Sequence, residues 1–235
     1  MKAVILQPSY IPWRGYFNQI KKADVFVFYD DVQYDRHGWR NRNRIKAPGG
    51  TRWLTIPVLT KGSVEQGTEI RDIRINWDRD WATKHWRSLQ QSYSRAPAFD
   101  RCAEQLEVAY SSRPTLLADF TIDLTVSLAA MLGIEDTRFL RSSTLDAPGK
   151  GTDRLLTILR KVGADHYISG PSARDYLDEE ALERAGITLE YMTYDYPGYE
   201  QLHPPWDPQV SVLDLLFMKG PEAWRWIWGD ARSDP

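Results

Sequence analysis

The sequence contains little cysteine and little histidine. Cys102 is the single cysteine among 235 residues, so no disulfide can form within the chain, and a reducing cytoplasm is the expected location. The four histidines are scattered along the chain, so no metal site of the usual zinc-ligand spacing is predicted. Cys102 falls inside a predicted helix among apolar residues, and we interpret it as a core residue rather than a nucleophile.

Long apolar runs are also missing. The longest apolar stretches are far shorter than the roughly 20 residues that a membrane-spanning helix needs, so no membrane partner is expected. The apolar start of the chain is too short for a signal peptide and runs directly into Gln7-Pro8. Three common signatures are absent: Gly-x-Gly-x-x-Gly, the P-loop and Gly-x-Ser-x-Gly. Their absence disfavours a standard dinucleotide-binding fold, a P-loop NTPase and a typical serine hydrolase, respectively.

Charge is unevenly distributed, although the net charge is only −2. Residues 1–60 carry ten Lys/Arg against four Asp/Glu, whereas residues 151–235 carry eight against fifteen. A basic front half points to an anionic ligand, and a phosphate group is the obvious candidate. The excess of positive charge is too small for an extended nucleic-acid-binding surface. The single nucleic acid that we consider as a partner is an aminoacyl-tRNA, as the donor of an aminoacyl group.

Apolar strands alternate with amphipathic helices along the chain. Buried strands at 2–6 and 24–29 flank a helix, which makes a βαβ unit and favours a parallel sheet. We therefore predict an α/β, Rossmann-like three-layer fold with a mostly parallel sheet and helices on both faces. It forms one domain over 1–230, with an extra helical segment at about 78–132. Two further strands, at 52–58 and 70–75, are expected to pair across a loop at 59–69.

Ligands of such sheets bind beyond the carboxyl ends of the strands, and the first such segment joins the first strand to the first helix. Gln7 and Tyr10 lie in a loop stiffened by two prolines, and Trp13 is placed to stack on a ring. Backbone N–H groups at the helix start, next to Gly15, could hold a phosphate. The alternative is a rigid connector with a core-packed tryptophan.

The second segment follows the second strand. Asp30 or Asp31 could orient an amine or bind Mg²⁺, and Gln33 and Tyr34 come directly after them. The alternative is an Asx turn that ends the strand.

The third segment is a dense array of donors. If 39–45 is extended, its arginines share one face and its asparagines the other, and the arginines could grip a phosphate bidentately. The alternative is a solvated basic edge strand. The residues of the array are Arg40, Asn41, Arg42, Asn43 and Arg44.

The remaining candidates lie in the helical segment and at later strand ends. His85 is the best-placed general base in the sequence, with Lys84 beside it and Tyr93 two turns further along. A core histidine is the alternative interpretation. Polar groups at two later strand ends complete the predicted site: Ser142, Ser143, Ser169 and Gly170.

These same residues resemble a known family. The opening run from Gln7 to Phe17, the Asp30-Asp31-Val32-Gln33-Tyr34 block and the Asn41–Ile45 block are similar to the WbqC-like protein family, as are later motifs through Gly170. The resemblance covers about 2–220. It implies a setting in bacterial O-antigen and other surface-polysaccharide biosynthesis, and a glycine (aminoacyl) transferase role onto an amino sugar. The family brings no established list of catalytic residues.

Three functions are therefore considered. The first is transfer of an aminoacyl or acyl group onto a nucleotide-linked amino sugar, with His85 taking the amine proton and no cofactor required. The second, suggested by a weaker similarity to HIGH-motif nucleotidyltransferases, is Mg²⁺-dependent adenylyl transfer, although both motif histidines are missing. The third is a protein that binds a nucleotide sugar without catalysis.

Overall fold

The computed structural model describes residues 1–59 and 67–229. Over these residues the chain forms nine strands and seven α-helices. The strands are β1 (Lys2–Leu6), β2 (Val25–Phe28), β3 (Arg42–Ala47), β4 (Gly50–Thr55), β5 (Val58–Leu59), β6 (Arg74–Ile75), β7 (Arg138–Arg141), β8 (His166–Ser169) and β9 (Thr188–Tyr191). The helices are α1 (Arg14–Lys22), α2 (Trp81–Tyr93), α3 (Phe99–Ser111), α4 (Leu117–Met131), α5 (Gly151–Val162), α6 (Glu179–Arg184) and α7 (Val212–Lys219).

Five of the strands form a wholly parallel sheet in the order β7-β2-β1-β8-β9. The central strand β1 pairs on both sides, so that Val4 lies opposite Phe26 and Ile168. The chain builds outward from β1 through β2 to β7, then returns and builds the other half through β8 to β9. This is the strand order of a Rossmann-like sheet. The predicted fold class is therefore confirmed.

Helices cover both faces of the sheet because its inner strands are apolar on both sides. Val4, Phe26 and Phe28 join a core that includes residues of α1 to α4 and α7. The alternate residues Ala3 and Ile5 point the other way and pack with residues of α5 and α6. Helices α2, α3 and α4 occupy the segment predicted to be helical, and they lie in the long connection between β2 and β7.

The predicted pairing of 52–58 with 70–75 is wrong for most of its length. Strand β4 pairs with β3 instead, and only the short β5 and β6 keep the expected partnership. Gly49 and Gly50 join β3 to β4 with φ of +85° and +136°, which lets the chain reverse locally into a tight hairpin. The loop predicted at 59–69 falls mostly outside the described residues.

Among the described helices, none combines the length and the apolar character needed to cross a membrane.

Gly163 ends α5 in a left-handed backbone conformation. Its φ is +77°, and its N–H donates to the carbonyl of Arg160. We expect Gly163→Ala to lower the free energy of unfolding by about 1–2 kcal/mol, because an L-residue is strained there. A Cβ would meet only Met1 at 3.5 Å, so the effect is one of backbone strain and not of a clash.

Urea denaturation of both variants checks this expectation. Gly163→Asn is the matched control and should lose less stability, since asparagine tolerates the left-handed region. An alanine variant as stable as the unmodified chain would contradict the assignment of strain to this position.

Candidate functional site

A cleft of about 960 Å³ opens at the carboxyl ends of β1 and β8. Leu6 and Gln7 reach it from the end of β1, and Tyr167 and Gly170 reach it from β8 and the residue that follows. The strand order reverses between these two neighbouring strands. After β1 the chain continues to β2 on one side of the sheet, and after β8 it continues to β9 on the other side. Ligands of open parallel sheets bind at this switch point.

The cleft wall is aromatic and polar, with little formal charge. Of the described residues that line it, only Arg40 carries a full charge at neutral pH, and none is Asp, Glu or His. Burial raises the pKa of Tyr16 and of Tyr194, so both phenols stay protonated as hydrogen-bond donors. The aromatic lining residues are Trp13, Tyr16, Tyr29, Trp39, Tyr167, Tyr176 and Tyr194.

Five of the residues predicted from the sequence line this cleft, and several lining residues were not predicted. The five are Gln7, Trp13, Arg40, Asn43 and Gly170. Among those missed, Tyr29 comes directly after β2, so the strand-end rule could have found it. Gln19 and Tyr194 gave no local signal, because their contact joins residues 175 positions apart in the chain.

Arg40 forms the cationic part of the cleft. Its Nη1 donates to Gln7 Oε1 at 2.6 Å, and the Tyr16 hydroxyl donates to the Gln7 carbonyl oxygen at 3.1 Å. No carboxylate of the described chain lies within ion-pairing distance of Arg40, and its buried Nε has no hydrogen-bond partner there. Burial lowers the pKa of this guanidinium, and the more distant charge of Asp35 opposes that shift. A bound phosphate or carboxylate would supply the missing negative charge.

Trp13 forms an aromatic wall whose position depends on Gly15. A Cβ at Gly15 would lie 2.3 Å from the Trp13 ring, so the indole lies against the glycine backbone. The other contacts of the indole are with Tyr194, at a centroid distance of 4.9 Å, and with Tyr196, at 6.1 Å. The glycine therefore provides room for the Trp13 side chain in this structure.

Gln19 and Tyr194 form a neutral polar group in the same cleft. Gln19 Nε2 donates to the Tyr194 hydroxyl oxygen at 3.0 Å, which leaves the hydroxyl proton free to donate elsewhere. Gln19 Oε1 is buried and has no partner among the described residues. A ligand that offers an N–H or O–H group would satisfy this acceptor.

Comparison with known proteins gives a family and one relative. A model described as the WbqC-like protein family matches residues 7–226. The chain belongs to the WbqC-like protein family. It is also 42% identical over 224 residues to the uncharacterized protein Rv1507c of Mycobacterium tuberculosis, an alignment that covers 94% of this chain and 95% of that protein. No solved structure matches this WbqC-like chain.

Asp30 and Asp31 contact the predicted serines Ser142 and Ser143, and none of these four residues lines the cleft. Asp30 accepts hydrogen bonds from the backbone N–H and the hydroxyl of Ser143, at 3.1 and 2.9 Å. Asp31 accepts from Ser142 and forms an ion pair of 2.5 Å with Arg154. The strand ends thus meet as expected, and their polar groups bond chiefly to one another.

The donor array divides into two groups because β3 starts at Arg42. Asn43 points inward, where its Nδ2 donates to the carbonyls of Tyr10 and Ile11, and Asn41 donates to Ile56. Arg42 and Arg44 lie beside the Trp53 ring, Arg44 donates to Gln209, and of the three arginines only Arg40 lines the cleft. The expectation that the three arginines share one face stays a prediction, because only Arg42 and Arg44 lie in the extended strand.

The other predicted binding residues lie away from the lining of the cleft. Tyr34 and Ser169 are buried. Gln33 is exposed, and its backbone forms an isolated antiparallel β-bridge with Glu69. Lys84 is exposed on α2, while the buried Tyr93 donates to Asp214 at 2.9 Å. Their predicted substrate-binding roles stay predictions.

His85 lies within an aromatic core. Its Nδ1 is 2.8 Å from the hydroxyl oxygen of Tyr10, which in turn bonds to Tyr110. The ring makes an edge contact with Trp81 at 5.2 Å and is almost wholly buried. Burial lowers its pKa to about 4, so this histidine is neutral at physiological pH. It does not line the cleft, and its predicted role as a base stays a prediction.

The buried His85 predicts how stability depends on pH. The unfolded chain binds a proton near the ordinary pKa of 6.5, whereas the folded chain binds it only near about 4. Stability should therefore fall as the pH drops from about 6.5 to about 4, by roughly 3 kcal/mol from this residue. Urea denaturation at pH 7 and pH 4 measures the change.

His85→Asn provides the comparison, because it keeps a polar atom near the position of Nδ1 but does not titrate. It should be less stable at pH 7, and it should lose roughly 3 kcal/mol less than the unmodified chain on acidification. Equal losses in the two proteins would show that His85 does not titrate in this way.

Proposed function

We propose that this WbqC-like protein binds a nucleotide-linked amino sugar in the cleft and transfers an aminoacyl or acyl group, such as glycine, onto the sugar amine. The proposal places the protein in bacterial surface-polysaccharide biosynthesis, which is the role implied by its family resemblance. The cytoplasmic location predicted from the sequence fits a nucleotide-sugar substrate. The observation that carries the proposal is the partly buried guanidinium of Arg40, which lines the cleft and has no carboxylate within ion-pairing distance in the described chain.

Desolvation is costly for a cation that has no close counter-ion, and an anionic ligand in the cleft would offset that cost. The planar guanidinium presents parallel N–H donors that match two oxygens of a phosphate or a carboxylate. Gln7 already occupies one of these N–H groups, and its bond to Arg40 fixes the direction in which the remaining donors point. A sugar-linked diphosphate has the charge and the oxygen geometry that this group binds.

The aromatic wall supports a ring-containing ligand. Ligand pockets typically have volumes of about 300–1,000 Å³. At about 960 Å³ the cleft lies near the upper end, which suits a nucleoside, a diphosphate and a sugar together. Trp13 and Trp39 offer faces for a base or a sugar ring, while Gln19 Oε1 can accept a hydrogen bond from the sugar amine.

The reaction needs few groups beyond these. The amine nitrogen attacks the acyl carbonyl carbon and a C–N bond forms. The bond from that carbon to the leaving oxygen or sulfur breaks, and the proton lost by the amine passes to the leaving group. Since the described lining offers no Asp, Glu or His, the proposed rate enhancement comes chiefly from holding amine and carbonyl in a reactive geometry.

Arg40→Met should change affinity and stability in different directions. We expect affinity for the nucleotide sugar to fall roughly 10- to 150-fold, because charge-assisted hydrogen bonds are lost. The free energy of unfolding should stay the same or rise, because a partly desolvated charge without a close counter-ion is removed. Isothermal titration with UDP-, GDP- and dTDP-linked sugars measures the first change, and urea denaturation measures the second.

Arg160→Met is the matched control, because Arg160 is exposed on α5 and does not line the cleft. It should leave both quantities unchanged. Failure of every nucleotide sugar to bind the unmodified protein would overturn the proposal, as would an Arg40→Met variant that binds normally.

A product assay separates transfer from simple binding. The protein is incubated with a bound amino sugar and with aminoacyl or acyl donors, and mass spectrometry detects the amide. We expect an amide product that does not depend on Mg²⁺. Binding without product favours the non-catalytic alternative, which the missing acid and base groups of the described lining also favour.

The same assay tests the adenylyl alternative. That reaction would release pyrophosphate from ATP only when Mg²⁺ is present, with Asp30 or Asp31 as a ligand. In the described residues these carboxylates bond to serines and to Arg154, so metal binding would have to displace contacts they already make.

A further inference from the structure

The outward face of the β3–β4 hairpin carries an exposed aromatic stack. Trp53 on β4 stacks on Trp39, with ring centroids 5.4 Å apart and planes inclined by 25°. The two side chains remain 48% and 45% exposed, respectively. The inward face of the same hairpin is different, because Asn43, Ile45 and Leu54 are buried there. The exposed stack is therefore not part of the packed core.

This hairpin face also carries two partly exposed arginines, Arg42 and Arg44. Residues 36–55 contain six Lys/Arg and no Asp or Glu. The guanidinium of Arg42 lies 4.9 Å from the Trp53 ring, and that of Arg44 lies 5.8 Å from it. Arg42 donates to the backbone carbonyl of His37 and has no carboxylate partner in the described chain. Arg44 donates to Gln209 and lies 3.9 Å from a carboxylate oxygen of Asp207.

The stack adjoins the cleft. Trp39 lines the cleft and also contacts Trp53, so one side chain belongs to both surfaces. A ligand spread over the tryptophans thus has a continuous path to the cleft wall. A small nucleotide sugar held by Arg40 has no need of a second aromatic and cationic surface outside the cleft.

We propose that the hairpin face, defined by Trp39, Trp53, Arg42 and Arg44, binds the single-stranded end of an RNA. Exposed base faces stack on the tryptophans, and the backbone phosphates pair with the two arginines. The terminal nucleotide then reaches the cleft past Trp39. The inference rests on the proposed function in one respect only: it makes an aminoacyl ester on the terminal ribose the source of the transferred group.

A single strand fits this surface better than a duplex. Base faces are available for stacking only where a strand is unpaired. Two aromatic rings and two guanidiniums suffice for two or so nucleotides, whereas a duplex needs a wide basic surface. The net charge of −2 argues against such a surface on the protein as a whole, but not against a local basic face.

Fluorescence anisotropy with a labelled single-stranded RNA octamer, whose 3′ end is free, tests the proposal. Trp53→Ala should weaken binding roughly 5- to 150-fold, which is the effect of losing one stacked base. Trp53→Phe should retain most of the affinity, because it keeps an aromatic face. Changing both Arg42 and Arg44 to Gln should reduce the slope of log Kd against the logarithm of salt concentration by about 1.4, because each phosphate contact contributes about 0.7 to that slope for single strands.

Three controls make the result specific. Arg160→Gln removes an exposed cation from the opposite face of the sheet and should not change RNA binding. The thermal midpoint of each variant shows whether it is folded. Affinity for the nucleotide sugar should fall far less than affinity for RNA in Trp53→Ala, because Trp53 contacts the cleft only through Trp39.

The failure of this inference is distinguishable from the failure of the proposed function. No binding of the octamer at low salt, equal binding by Trp53→Ala, or equal binding of a duplex of the same length would each overturn the RNA inference, whatever the nucleotide sugars do. Octamer binding that depends on the hairpin, together with no affinity for any nucleotide sugar, would uphold the RNA surface and overturn the proposed acceptor.

Discussion

The central position of β1 is the constraint on which the cleft depends. Because β1 hydrogen-bonds to parallel strands on both sides, its last residues are fixed at the switch point, and the loop from Gln7 to Trp13 leaves there. The hairpin then fixes this loop: Tyr10 N–H donates to the carbonyl of Trp39, and Asn43 donates to the carbonyls of Tyr10 and Ile11. The loop that carries Trp13 and the segment that carries Arg40 therefore position each other.

Charged side chains in the interior of this protein are satisfied in different ways, and Arg40 differs from the others in lining the cleft. Asp31 is paired with Arg154, and Asp214 accepts hydrogen bonds from Tyr93 and Tyr199, so these groups are compensated within the chain. Arg14, Lys46 and Arg40 have no carboxylate within ion-pairing distance in the described chain; Arg14 and Lys46 donate to backbone carbonyls, whereas the Nε of Arg40 has no hydrogen-bond partner there. Groups that are satisfied within the chain hold elements together, whereas Arg40 faces a cleft in which an anionic ligand would add the negative charge.

The sequence predicts what depends on local pattern and misses what depends on distant partners. Apolar runs at β1 and β2, with an amphipathic helix between them, indicate a parallel sheet without further information. Helical spacing places His85 on the apolar face of α2, yet it cannot show that Tyr10 and Tyr110 enclose the ring. The alternation of arginines in 40–44 predicts a shared face, but the strand starts at Arg42, and of these arginines Arg40 alone lines the cleft. The missing information is where each strand begins and which segment pairs with it.

The described lining places limits on the chemistry that the cleft can perform. Its tyrosines are held protonated by burial, and its one cation is a guanidinium, which does not exchange protons near neutral pH. An amine and an activated acyl group react without a strong base once they are held together, whereas hydrolysis of a stable amide would need an activated nucleophile. A positioning site with an anion-binding arginine is therefore sufficient for acyl transfer between two preactivated substrates. The shared Trp39 would bring the second of those substrates to the same edge of the sheet.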